Sequence, residues 1–285
     1  MAITTLQDFS KTAFMSGATR ATHLMWDDAP HVLDDPYSAL LFPNEFGEWV
    51  QALLTRPDSP INAASRVSVI WRARTTEDAL EAAMAGGISQ YAILGAGLDS
   101  FAWRRADLLE RLQVYELDHP ATQDGKRQAL AAAGFRHPAG LHFVPADLAN
   151  TRLRDALARS AWDFSRPGFF CWTGVTMYLQ PEAVLAALRD IAALGPGTTV
   201  SFTYLQPEHA LEGLDADVLR LIRKASNKVG EGYYSYYTPG EIEEVARQAG
   251  FSRIEHHDPR TSPHFAGRRD GLMPHRAELL VVATA

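Results

Sequence analysis

Two glycines and an acid at the end of an apolar run, Gly95, Gly97 and Asp99 in ILGAGLDSF, are the first group in this chain whose types and spacing suggest chemistry. A Gly-x-Gly turn lets a ligand approach bare backbone. A dinucleotide site needs a third glycine three residues past the second, opening the helix under a pyrophosphate. Here that position is Ser100, and Asp99 would repel phosphate. Roughly 20 residues further on, YELDHP offers Glu116 and Asp118 at the end of a second apolar run, where a carboxylate can accept ribose hydroxyls. PADL then places Asp147 and Leu148 at the end of a third, an acid for an adenine amino group beside an apolar residue for the ring. Singly, each has a plainer reading: a structural turn, a helix cap, a turn residue. Together they point to a nucleoside whose tail is cationic or amino-acid-like, of which S-adenosylmethionine is the obvious case.

Other chemistries are poorly provided for. No Ser/His/Asp or Cys/His constellation stands at the strand ends, and the histidines lack metal-ligand spacing, so no metal is expected. His256 and His257 are adjacent on a strand and face opposite ways, a structural arrangement. Cys171 is the only cysteine, which excludes an internal disulfide and fits a reducing cytoplasm. The net charge of −7 and the scattered basic residues argue against nucleic acid as a partner. No apolar run approaches the roughly 18 to 20 residues that cross a bilayer, and no secretory signal opens the chain, so a cytoplasmic protein without a membrane partner is expected. Nothing in the sequence specifies an oligomeric state.

The elements that must position these residues alternate. QYAILGA, LQVYELD, LHFVPAD, GFFCWTG and TTVSFTY read as short buried strands, with helices such as DGKRQALAAAG and PEAVLAALRDIAAL between several of them. Such alternation predicts a doubly wound, mainly parallel α/β sheet with ligands at the carboxyl ends of its strands. FSRIEHHD and ELLVVATA are expected as an antiparallel hairpin on the sheet edge. A helix over about 63–84 should precede the first strand. Prolines at 30, 36, 43, 57 and 60 break the first sixty residues into short helices. A helical, aromatic-rich insertion at about 206–239 completes one domain over 1–285, with an N-terminal helical lid over about 1–62.

The segments ILGAGLDSFAWR, VYELDHP with Lys126 downstream, PADL, and GVTMYL followed by Pro181-Glu182 resemble the leucine carboxyl methyltransferase family, closest to its bacterial polyketide-type O-methyltransferases such as the tetracenomycin methyltransferase. TRATHL, DDPYSALLF, RARTTEDAL and PHFAGRRDGLMPHRAELLVVATA extend the likeness over nearly the whole chain. The resemblance implies a Rossmann-like class I methyltransferase fold of seven strands with an antiparallel edge strand and a helical cap. It implies S-adenosyl-L-methionine as cofactor, S-adenosyl-L-homocysteine as product, and a small-molecule acceptor, polyketide-like or another secondary metabolite, methylated on a carboxylate or hydroxyl. Carried over, Gly95 and Gly97 line the methionine part, Asp118 holds the ribose with Glu116 as second choice, and Asp147 and Leu148 take the adenine. Arg72 or Arg74 meets the methionine carboxylate, and Arg20 reaches the cofactor from the N-terminal helix. Tyr178 stands at the acceptor, as a catalytic and substrate-binding candidate, with Tyr233, Tyr234 and Tyr237 in the cap; Trp172, Trp26 and Phe14 could add walls.

Two departures qualify the likeness. Thr173 replaces an acid that faces the cofactor's ammonium group, and Ala149 replaces the arginine with which the eukaryotic branch grips a substrate carboxylate. A protein C-terminal leucine is therefore not the expected acceptor. Two alternatives stand beside methyl transfer: a cyclase-like or binding protein with the same fold and cofactor, and an NAD(P)-dependent oxidoreductase.

Overall fold

Among the described residues, five of the seven strands are buried along most of their length, which dictates how the chain must be layered. The computed structural model describes residues 11–41, 58–228 and 230–285, with side chains from residue 15 onward. Of the expected N-terminal lid, residues 1–10 and 42–57 lie outside the described residues, as does the side chain of Phe14. Strands β1 (Gln90–Leu94), β2 (Gln113–Asp118), β3 (Leu141–Pro145), β4 (Phe169–Trp172), β5 (Thr199–Leu205), β6 (Arg253–His257) and β7 (Glu278–Thr284) form one sheet in the order β3-β2-β1-β4-β5-β7-β6. β1 to β5 pair in parallel, and β7 runs antiparallel to both its neighbours.

Every residue of β1, β4 and β5 is buried. Alternate residues serve opposite faces: Ala92 and Leu94 join one apolar cluster with Phe170 and Phe202, while Tyr91 and Ile93 join another with Phe169 and Cys171. The expected hairpin of β6 and β7 is present, but the antiparallel strand is not the outermost one. β7 lies one place in, between β5 and β6, and β6 forms that edge. The hydrophobicity of ELLVVAT against RIEHH explains the order: β7 buries its first four residues in succession, whereas β6 has three exposed and two half-buried residues.

The long helix α2 (Pro60–Ala85) follows α1 (Lys11–Trp26) and starts three residues before the expected position. Ser59 caps it through the Asn62 N–H at 3.4 Å, and Pro60 takes the first helical turn, where its missing N–H is harmless. Helices α3 (Pro120–Ala132), α4 (Pro181–Ala192) and α6 (Pro239–Ala249) start on proline in the same way. α5 (Leu214–Lys228) occupies the expected insertion. No helix among the described residues is long and apolar enough to cross a membrane.

α1 is held to α2 by a buried cluster. Arg66 donates to both oxygens of Asp27 at 2.9 and 3.1 Å, and His23 Nδ1 meets the same carboxylate at 2.7 Å. Val32 N–H donates to His23 Nε2 at 3.0 Å, so the ring proton sits on Nδ1, facing Asp27.

Candidate functional site

The strand order reverses between β1 and β4: from β1 the chain crosses to β2 on one side, while β4 lies on the other. A crevice opens beyond the carboxyl ends at such a point. It holds a cavity of about 460 Å³, within the roughly 300–1,000 Å³ of small-molecule sites. Its floor is the turn from Leu94 to Asp99, with Asp118 from the end of β2, Thr173 to Val175 after β4, and Leu205 at the end of β5. α1 and one face of α2 close one side; Tyr178, α5, Glu231 and Tyr233 close another.

The glycines are required by backbone geometry. Gly95 and Gly97 have φ of +69° and +51°, the left-handed region that other residues enter at a penalty. The turn also presents a donor: Gly97 N–H reaches Asp118 Oδ2 at 2.5 Å, while the N–H of His119, next in the chain, reaches Oδ1 at 2.6 Å. Burial pushes the Asp118 carboxyl up from its usual range, and these two donors oppose the shift. A carboxylate has about four acceptor positions, so two remain for ligand hydroxyls.

Ser100, which breaks the dinucleotide pattern, has a definite task. Its hydroxyl donates to Asp35 at 2.7 Å and accepts from Arg104 Nε at 3.0 Å. Asp35 also pairs with Arg20 Nε at 3.0 Å, and Arg20 Nη2 donates to the Leu98 carbonyl at 2.6 Å. Burial opposes ionisation of Asp35, but Arg20, Arg104 and the hydroxyls of Ser38 and Ser100 outweigh it and hold the carboxyl below the usual range. Arg20 therefore lines the cavity while its guanidinium ties α1 to the glycine turn.

The two candidate arginines of α2 separate cleanly. Two residues are about 200° apart around a helix, so Arg72 and Arg74 face opposite ways. Arg72 shares the cavity face with Ser65, Val69 and Thr76. Its guanidinium rests against Gly174, donates to Glu278 at 3.1 Å and reaches Ser16 Oγ at 3.3 Å. Arg74 lies outside the cavity walls and pairs with Asp78 at 2.6 Å.

Several expected residues are elsewhere. Glu116 is buried beneath the sheet end and paired with Lys126 at 2.5 Å; burial pushes its carboxyl up to about 7, against the pull of Lys126. It shares a face of β2 with Asp118 but sits one step back from the strand end, and it does not line the cavity. Asp147 and Leu148 stand at the neighbouring strand end but not in the cavity wall. The Asp147 carboxylate closes its own turn, accepting from Ala149 N–H at 3.0 Å and Asn150 Nδ2 at 2.7 Å. Tyr237 is packed in the core cluster on the opposite face of the sheet, Tyr234 is 58% exposed, Trp172 is core and Trp26 is surface. His256 meets Glu243 at 3.6 Å, away from the site.

Tyr178 and Tyr233 do come together on the cavity wall, edge to face with ring centroids 5.3 Å apart. Burial raises both phenols, so both hydroxyls are protonated donors at neutral pH. The insertion is docked under them: Tyr234 N–H donates to the Met177 carbonyl at 2.7 Å, and Ser235 Oγ to the Thr176 carbonyl at 2.8 Å. Thr173 lines the cavity with its hydroxyl 3.6 Å from Cys171 Sγ. Sequence reasoning missed Ser16 and Thr19 on α1, Glu231, and above all Glu278, the first residue of β7.

The profile described as "Leucine carboxyl methyltransferase" matches residues 13–192. "Putative S-adenosyl-L-methionine-dependent methyltransferase YktD" of Bacillus subtilis (strain 168) is 29% identical over 287 residues, covering 92% of this chain and 93% of that protein. A protein of Mycobacterium sp. (strain JLS), named "Putative S-adenosyl-L-methionine-dependent methyltransferase", is 34% identical over 205 residues, 68% of this chain and 66% of its own. Among solved structures, a "putative methyltransferase" from Thermobifida fusca YX superposes with a TM-score of 0.60 at 21% identity, covering 87% of this chain and 92% of that one. Human N-acetylserotonin methyltransferase, solved in complex with SAM, gives 0.53 at 13% identity, covering 96% and 67%. At these identities the structural likeness is one of fold.

Proposed function

The chain belongs to the leucine carboxyl methyltransferase family and is an S-adenosylmethionine-dependent methyltransferase, and from that premise we propose that it methylates an oxygen of a small acceptor held against Tyr178 and Tyr233. The cofactor supplies a methyl group on a positively charged sulfur.

The cavity suits that cofactor. A positive-φ glycine turn leaves bare backbone where a side chain would intrude, a carboxylate with free acceptor positions stands beside it, and one guanidinium faces inward from α2. Asp118 holds the ribose hydroxyls and Arg72 the carboxylate of the amino-acid tail, while the adenine extends past the cavity wall to the end of β3, where Asp147 and Leu148 stand. The backbone of Gly95 and Gly97 supports the part between. Asp99 and Glu231 add negative charge to the lining, which favours a sulfonium over a phosphate.

Arg20, by clamping α1 to the turn through Asp35 and Leu98, closes this end against water. Exclusion of water matters because solvent would stabilise the charged ground state more than the transition state, in which charge is dispersed. Tyr178 and Tyr233, protonated at neutral pH, orient the acceptor oxygen by donating hydrogen bonds and present aromatic faces to a planar body. No phenolate serves as base, so the rate comes mainly from alignment of the reacting atoms. Ala149 leaves no arginine after the Asp-Leu pair, which favours a small metabolite over a peptide carboxylate. α1 and the 206–239 segment act as the two covers of a single domain.

The observation that carries this reading is the meeting, in one cavity, of the glycine turn, Asp118, Arg72 and the tyrosine pair. Incubating the enzyme with S-adenosylmethionine and metabolite extracts should yield S-adenosylhomocysteine and an O-methylated product by mass spectrometry. Methylation confined to nitrogen or carbon would refute the assignment to oxygen.

A further inference from the structure

The antiparallel course of β7 has a consequence at the site. In a sheet whose other strands all run one way, only β7 brings its first residue to the edge where they end, and Glu278 pairs in register with Leu205, the last residue of β5. The Glu278 side chain is 4% exposed, lines the cavity, and faces Arg72 Nη1 with both oxygens, at 3.1 and 3.5 Å. An ion pair this enclosed is a poor device for stability, since desolvation offsets most of the attraction. It is a good device for gripping an amino-acid tail, which carries a carboxylate and an ammonium on one carbon and needs a cation and an anion side by side.

The other acids of the cavity are committed or misplaced. Glu77 is held by Arg104 at 2.5 Å. Asp118 takes two backbone N–H donors at the far strand, and Asp99 Oδ1 accepts from Phe101 N–H at 2.7 Å. Glu231 stands on the tyrosine side. After β4 the wall offers Thr173, a neutral hydroxyl. Glu278 alone among them touches the guanidinium that would bind the tail's carboxylate, and it retains acceptor capacity beyond that contact. Resting on the cofactor site proposed above, we infer that Glu278 receives the ammonium group of the cofactor's amino-acid tail, so that Arg72 and Glu278 form a paired receptor for a zwitterion.

Calorimetry with three ligands tests this on the full-length protein without turnover: S-adenosylhomocysteine, its analogue lacking the amino group, and 5′-methylthioadenosine, which lacks the tail. Glu278→Gln keeps an acceptor for Arg72 but removes the charge. It should weaken S-adenosylhomocysteine by roughly tenfold or more, the deaminated analogue by less than about twofold, and leave methylthioadenosine unchanged. Equal weakening of the first two, uniform weakening of all three, or undiminished S-adenosylhomocysteine binding would overturn the assignment. If none of the three binds the unaltered protein, the cofactor site itself is wrong and Glu278 falls with it.

Discussion

Gly174→Ala isolates the placement of Arg72, because the new methyl group would occupy the space of the guanidinium. A Cβ at this position lies 2.7, 2.8 and 2.9 Å from Arg72 Nη2, Cζ and Nη1. Ordinary contact begins near 3.5 Å, so the guanidinium must withdraw by roughly 0.8 Å. The end of a flexible side chain yields more readily than backbone, and the loss should therefore fall on ligand grip. One charge-assisted hydrogen bond contributes about 1.5 to 3 kcal/mol, or roughly 10- to 150-fold in affinity. Gly174 also has φ of +73°, so alanine there adds a stability loss of about 1 to 2 kcal/mol. Gly197→Ala supplies the control: its φ is +82°, its Cβ would meet only Pro167 at 3.4 Å, and it precedes β5 at the opposite end of the sheet. Both variants should lose similar stability in chemical denaturation, and only Gly174→Ala should lose S-adenosylhomocysteine affinity by calorimetry. Equal affinity in the two variants would refute the reasoning.

Asp118→Ala should weaken S-adenosylhomocysteine and methylthioadenosine alike, by about 1.5 to 3 kcal/mol, since both carry the ribose; calorimetry that finds only the former affected would remove Asp118 from the ribose. Tyr178→Phe should lower kcat/KM by about tenfold or more once an acceptor is found, whereas Tyr234→Ala, at an exposed position, should leave it unchanged. Glu116 makes a pH prediction. Its carboxyl is raised from 4.5 to about 7, so between those values the folded protein keeps a proton that the unfolded chain has released. Stability should fall as pH rises through that window, by up to about 3 kcal/mol, and urea titrations should show this component absent from Glu116→Gln/Lys126→Met.

Much of the fold was legible because β1 to β5 are short apolar runs bounded by turn residues, a pattern that only a doubly covered sheet satisfies. The glycine turn and Asp118 were legible for a related reason: strand ends at a reversal of strand order are where a parallel sheet can bind. Helix starts were harder. Pro60 read as a breaker, yet it occupies a first turn that tolerates a missing donor, as Pro120 does in α3. The choice between Arg72 and Arg74 was available in principle, since Ser65, Val69, Arg72 and Thr76 share one helical face, but which face looked inward depended on packing against α1. Tyr234 and Tyr237 illustrate the limit of composition, because an aromatic cluster does not say which rings are anchors and which point away. Glu278 was hidden for a topological reason. Only the placement of β7 between β5 and β6, in reverse, brings the start of the last strand to the ligand edge.

The most direct measurement is a crystal structure of the protein with S-adenosylhomocysteine bound. It should show the nucleoside over Gly95 and Gly97, its ribose hydroxyls on Asp118 and its carboxylate on Arg72. A nucleoside bound elsewhere, or with Asp118 and Arg72 both free of it, would contradict the account.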